Sequence, residues 1–141
     1  MDGQDFLLTA RRLLSSAEES DWRSAISRAY YAVFHFGCDF YRAHGLDLGM
    51  GGQVHSNLYI GLNNCGHAAV HTLAGRVDSL RGDRADADYD LRRPVSNAKA
   101  ITCVRQAETI IADFLAILVN IPAAQIVTGA KRHLKAIGRI P

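Results

Sequence analysis

Arg28, Tyr31 and His35 fall at i, i+3 and i+7, so on a helix one face would carry a guanidinium, a phenol and an imidazole. Such a face offers charge to neutralise a phosphate and a side chain that exchanges protons near neutral pH. Arg28 and His35 would lie about 10 Å apart along the axis, so another element must intervene before both act on one atom. The competing reading is a polar edge on a core helix, with Tyr31 and His35 hydrogen-bonded inside a bundle.

A second group of reactive types runs Arg84-Ala85-Asp86-Ala87-Asp88-Tyr89-Asp90, with Arg81 upstream and Arg92 and Arg93 downstream. Opposite charges at this density usually mark a solvated loop. A tyrosine among three aspartates is less usual, because an exposed acidic loop gains nothing from a phenol unless it packs, hydrogen-bonds or is modified. Cys65, His67 and His71 include two imidazoles at i, i+4, a spacing that can chelate zinc on a helix. A full site needs three or four ligands and no HExxH glutamate is present, so two surface histidines suffice as an explanation and no metal is expected. No GxSxG elbow supports a nucleophilic serine. Gly49, Gly51 and Gly52 match neither GxGxxG nor GxxxxGK[ST], and no cofactor is expected.

These side chains need helices to hold them. Apolar residues recur three or four apart throughout the chain and alternating runs are absent, which predicts an all-α fold. A first helix is expected over about Asp5–Ala17. The second, capped by Ser20 or Asp21, runs to His44 and stops at Gly45, burying Trp22, Ile26, Ala29, Val33, Phe36 and Phe40. A flexible glycine-rich loop should separate it from a third helix over Val54–Asn63. A fourth over His67–Asp83 leads into the polar stretch Arg84–Pro94. A fifth, capped by Ser96 or Asn97, continues to Val119 with Ile101, Val104, Ile111, Phe114 and Leu118 inward. Residues 122–137 should form a short basic helix, loosely packed or serving a partner.

The expected architecture is one bundle of four to five main helices over residues 1–120, with residues 121–141 as a basic extension. Its 141 residues suffice for one domain with a core that needs no disulfide or metal. Three cysteines, Cys38, Cys65 and Cys103, form no Cys-x-x-Cys pair, which fits a reducing compartment; with no signal-peptide pattern at the start, the expected location is cytoplasmic. The longest uncharged run, residues 114–130, contains Asn120, Pro122 and Gln125 and is shorter than the roughly 20 apolar residues of a membrane span. Net charge is +2, and Lys131, Arg132, Lys135 and Arg139 place the basic excess in the tail. That tail could touch phosphates, but no aromatic residue interleaves it for base stacking.

The phrase from Asp21 to His35, with Ser27-Arg28-Ala29-Tyr30-Tyr31-Ala32-Val33-Phe34-His35 at its end, followed by His55 opening a helix and by Arg84-Ala85-Asp86-Ala87-Asp88-Tyr89, resembles the HEPN (higher eukaryotes and prokaryotes nucleotide-binding) family, most closely its small stand-alone prokaryotic branch. The resemblance covers about residues 5–118. It implies an up-and-down helical bundle, frequently a homodimer, in which many members cut RNA without a metal as toxins or defence effectors and pair with a nucleotidyltransferase antitoxin. The family's ribonuclease motif is an arginine followed after four to six residues by a histidine. Downstream of Arg84 this chain has Asp88 and Tyr89 instead, and its literal Arg-x6-His runs from Arg28 to His35, in an earlier helix than is usual. The resemblance implies Arg28, His35, Arg84, Asp88 and Tyr89 as catalytic residues and Tyr31, His55 and Arg81 as substrate-binding ones. The histidine would exchange the 2′-hydroxyl proton and arginine would stabilise phosphorane-like charge. The alternative is a non-catalytic partner that dimerises and docks a nucleotidyltransferase or a larger effector, with Tyr89 as the acceptor for nucleotide transfer.

Overall fold

The computed structural model describes residues 1–141 as an all-helical bundle without strands. Six helices follow in order: α1 (Asp5–Leu13), α2 (Glu19–Ala43), α3 (Gln53–Asn63), α4 (Ala68–Tyr89), α5 (Asn97–Asn120) and α6 (Ala123–Ala136). The sixth is a full member of the bundle, which the expected four to five main helices did not include. No single helix is long and apolar enough to cross a membrane.

α2 is the central element and touches α1, α3, α4 and α5. Its buried face combines bulk with small residues: Ile26, Tyr30, Val33, Phe40 and Tyr41 alternate with Ala25, Ala29, Ala32 and Gly37, which let neighbouring helices approach. At Gly37 the approach is close enough that a Cβ would meet Leu58 of α3 at 2.7 Å. Phe114 of α5 lies edge-on against Phe36 and Phe40 of α2, joining the two longest helices.

Helix ends follow local chemistry, with some differences from expectation. α1 stops at Leu13 rather than Ala17. Glu18 occupies the N-cap of α2 with no side-chain cap bond, and Ser20 and Asp21 lie inside the first turn. The Ser96 side chain caps α5, as expected, by accepting from the Lys99 amide. At the other end of α2, Gly45 adopts φ +80° and the Leu46 amide donates to the Tyr41 carbonyl, the backbone reversal that glycine permits at a helix terminus. The following loop is anchored: Leu46 and Leu48 are buried, and Asn57 of α3 donates to the Leu48 carbonyl.

Four expected core residues are only partly buried: Trp22, Phe36, Ile101 and Leu118. The indole N–H of Trp22 donates to the Ser16 carbonyl near the surface, keeping one edge of the ring at the periphery. On α5 the buried stripe runs through Ala100, Cys103, Val104, Ala107, Ile111 and Phe114, which leaves Ile101 and Leu118 on its flanks.

α6 turns 107° from α5 at Pro122 and packs on α3, burying Ile126, Val127, Ala130 and Leu134. Gly129 brings the α6 backbone onto the Cys65 carbonyl, where no side chain fits. The basic tail is therefore joined to the core through its apolar face, while Lys131, Arg132, Lys135 and Arg139 remain exposed.

Candidate functional site

α4 contains the largest departure from the sequence reading. The helix does not end at Asp83 but continues to Tyr89, so the stretch expected as a loop is two further helical turns. Its buried positions are Val70, Leu73, Ala74, Val77, Leu80, Arg84 and Ala87, one unbroken stripe with three-four spacing. Arg84 sits where a leucine would ordinarily be, and this hides the helix from a hydropathy reading.

Arg84 is 8% exposed. Its guanidinium carbon lies 5.2 Å from the Tyr30 ring centroid, 5.6 Å from that of Tyr31 and 5.9 Å from that of Tyr89. These π faces offset part of the cost of desolvating the charge. The carboxylate of Asp88, one turn on, is 3.7 Å away and accepts from the Ser27 hydroxyl at 3.1 Å. Arg84 Nε has no partner, so a buried donor is left over.

On α2, Arg28 lies 5.1 Å over the Phe6 ring and 5.4 Å over the Tyr31 ring. His35 stacks parallel on Phe6 at 5.3 Å, and a Cβ at Gly3 would meet the His35 Cβ at 2.7 Å. Tyr31 is thus the junction between two groups. Arg28, His35 and Phe6 form the α1 side, and Arg84, Tyr30 and His55 the α4 side, with the His35 and His55 rings 6.2 and 6.0 Å from Tyr31.

His55, on the first turns of α3, stacks on Phe34 at 4.2 Å, and its Nδ1 is 2.7 Å from the Tyr30 hydroxyl. Burial holds its pKa below the ordinary imidazole value, and the positive charges of Arg84 and Arg81 and the ring of His35 act in the same direction. Burial pushes the Tyr30 phenol up to about 12, outweighing the opposite pull of Arg81 and Arg84. At neutral pH this pair therefore consists of a neutral imidazole and a protonated phenol.

The structure gathers Arg28, Tyr31, His35, His55 and Arg84 around one set of rings, with Asp88 as the counter-charge and Arg81 close enough to influence His55 and Tyr30. Tyr89 touches the cluster through Arg84 but is 77% exposed. Sequence reasoning passed over Tyr30, Phe6, Phe34 and Ser27, although Tyr30 and Phe34 are in the very phrase singled out. It also missed Arg23, which donates to the carbonyls of Ala87, Asp90 and Arg93 while pairing with Glu19. Glu19 in turn accepts from the Val95 amide. This clamp satisfies carbonyls at the end of α4 and holds the turn carrying Asp88 and Tyr89 against α2.

The site is an open face, not a deep pocket. Next to it, Asp86, Tyr89, Asp90, Leu91 and Arg92 border an open hollow, whereas a small apolar cavity of ≈ 20 Å³ lies among Val33, Leu58, Val77 and Phe114. His71 Nδ1 is 2.9 Å from the Asn63 carbonyl, and His67 is the N-cap of α4. No set of three or more His, Cys, Asp or Glu side chains is arranged to hold a metal ion. Comparison with protein-family models, curated proteins and solved structures returns no match.

Proposed function

We propose that this chain is a HEPN-type protein acting on RNA, with Arg28, Arg81 and Arg84 receiving phosphate charge and an imidazole of the same face doing acid-base work. The observation that carries the reading is the convergence on Tyr31: guanidinium carbons of Arg28 and Arg84 within 5.4 and 5.6 Å of its ring, and two imidazoles beside it. Guanidinium groups supply the charge that a phosphorane-like transition state needs, and partly buried rings offer surfaces on which unpaired bases stack. The orphaned Nε of Arg84 supports the same reading, since a buried cationic donor without an acceptor is suited to an incoming anion.

The proposed reaction is metal-independent strand cleavage by attack of a ribose 2′-hydroxyl on the adjacent phosphate. In this reading the helices form the family's up-and-down bundle and two copies assemble so that the shallow face becomes a cleft, in the cytoplasm of a cell where the protein serves as a toxin or defence component. Incubation of the purified protein with single-stranded RNA in EDTA is the test. Products with 2′,3′-cyclic phosphate ends, weakened by Arg28→Ala and Arg84→Ala, are expected. Intact RNA at every protein concentration refutes cleavage.

A second reading is favoured by the end of α4, where Tyr89 and Leu91 are 77% and 75% exposed. There the chain would dock a nucleotidyltransferase antitoxin or a larger effector, and Tyr89 would accept a nucleotidyl group. A mass increase at Tyr89 in the presence of that enzyme and a nucleoside triphosphate, with RNA left uncut, would favour it over the first.

A further inference from the structure

Two imidazoles border the cluster, and their surroundings differ. The ring of His35 lies flat on Phe6 under the N-terminal segment, and no hydrogen bond fixes its tautomer. The ring of His55 is fixed at three points: by the 2.7 Å contact of Nδ1 with the Tyr30 hydroxyl, by stacking on Phe34, and by the edge of Tyr31. Tyr30 itself is 1% exposed, so its hydroxyl cannot swing into solvent and abandon the imidazole. His55 is partly exposed, which leaves ring surface for a ligand.

The geometry points to His55 as the general base of the RNA-cleaving reaction, with Tyr30 as the positioning residue that holds its ring. This rests on the reading of the site as RNA-cleaving and names the acid-base group within it. The reaction requires the tautomer in which Nδ1–H donates to the Tyr30 oxygen and Nε2 carries the lone pair. This orientation of the pair is the one that survives protonation of the ring, because an imidazolium has no acceptor left for the phenol proton. His55 Nε2 takes the proton of the ribose 2′-hydroxyl, the 2′-oxygen bonds to phosphorus, and the bond from phosphorus to the 5′-oxygen breaks. The departing 5′-oxygen takes a proton from solvent and His55 returns its own to solvent, so no net proton is consumed.

The groups facing His55 are Tyr30, Tyr31 and His35 from α2 and Arg81 and Arg84 from α4. Burial first, and then two guanidinium groups with no carboxylate among the facing groups, keep the ring neutral, as a base must be before it acts. An aspartate in place of Tyr30 would raise the affinity of the ring for its proton. The phenol orients it without doing so.

Single-turnover cleavage of a single-stranded RNA oligonucleotide, followed from pH 5 to 8 in EDTA, tests the assignment. His55→Gln is expected to lower the cleavage rate about 10²- to 10⁴-fold while RNA affinity changes by less than about threefold. The rate of the wild-type protein should rise with pH along one acidic limb below the ordinary imidazole pKa, and Tyr30→Phe, which keeps the ring but loses the hydroxyl, should displace that limb. In the unmodified protein, ¹⁵N chemical shifts should show His55 as the Nδ1–H tautomer at pH 7, and inorganic phosphate should raise its apparent pKa. A wild-type rate in His55→Gln, a larger loss in His35→Ala, or an Nε2–H tautomer at His55 overturns the assignment while cleavage itself stands. A wild-type protein that cuts no RNA overturns both.

Discussion

Gly129→Ala tests whether α6 belongs to the core, and its sign is opposite to the usual one. Within a helix, alanine is favoured over glycine by about 1 kcal/mol. At Gly129, however, an added Cβ would collide with the Cys65 carbonyl oxygen and lie 2.8 Å from its carbon. The obstacle is backbone in the turn after α3, so it cannot rotate aside like a side chain. Relief requires α6 to move away by roughly 1 Å, which loosens Ile126, Val127, Ala130 and Leu134 from α3. Overpacking costs about 1–3 kcal/mol, and against fixed backbone the cost falls in the upper part of that range, so after the helix gain the net effect should be a destabilisation of about 1–2 kcal/mol. For a chain of this length that is a fall in Tm of roughly 3–8 °C. Gly75→Ala and Gly82→Ala in α4 are the controls, because nothing lies within 4 Å of a Cβ at either position. Each should stabilise by about 0.5–1 kcal/mol. Urea and thermal unfolding followed by circular dichroism at 222 nm measure all three. A Gly129→Ala protein as stable as the two controls would refute the close approach of α6 to α3.

Phe114→Ala should cost about 3–5 kcal/mol in urea unfolding, because Phe114 is 2% exposed and its removal enlarges a void already bordered by Val33 and Leu58. Arg23→Ala should cost about 2–3 kcal/mol by leaving carbonyls of the α4 terminus unpaired, and hydrogen exchange should accelerate in residues 86–95 while α5 stays protected. His55 has a folded pKa below its unfolded one, so its stabilising contribution is present above about pH 6.5 and is lost as pH falls through the folded value. His55→Gln should therefore flatten the decline of unfolding free energy between neutral and mildly acidic pH, and an unchanged slope would refute that direction. The thiols of Cys38 and Cys103 are pushed up to about 12 by burial, so thiol reagents should label neither at neutral pH until the protein is denatured.

The all-α class was legible in the sequence because apolar spacing is a local property that survives without tertiary context. So was the grouping of Arg28, Tyr31 and His35, since they share a face in any helix that contains them. The cap at Ser96 and the glycine stop at Gly45 were equally local. The extent of α4 was not legible: Arg84 occupies a core position only because Tyr30 and Tyr31 of α2 provide π faces and Asp88 a counter-charge, none of which is visible within the segment itself. Tyr30 was passed over for the converse reason, since a tyrosine in an apolar stripe reads as core until His55, 25 residues on, is found at its hydroxyl. The same holds for α6, whose basic residues dominate the sequence while four buried residues and one glycine fix it to α3. Periodicity determined which residues share a helix face. Only packing decided which faces meet, and with that which histidine stands beside the arginines.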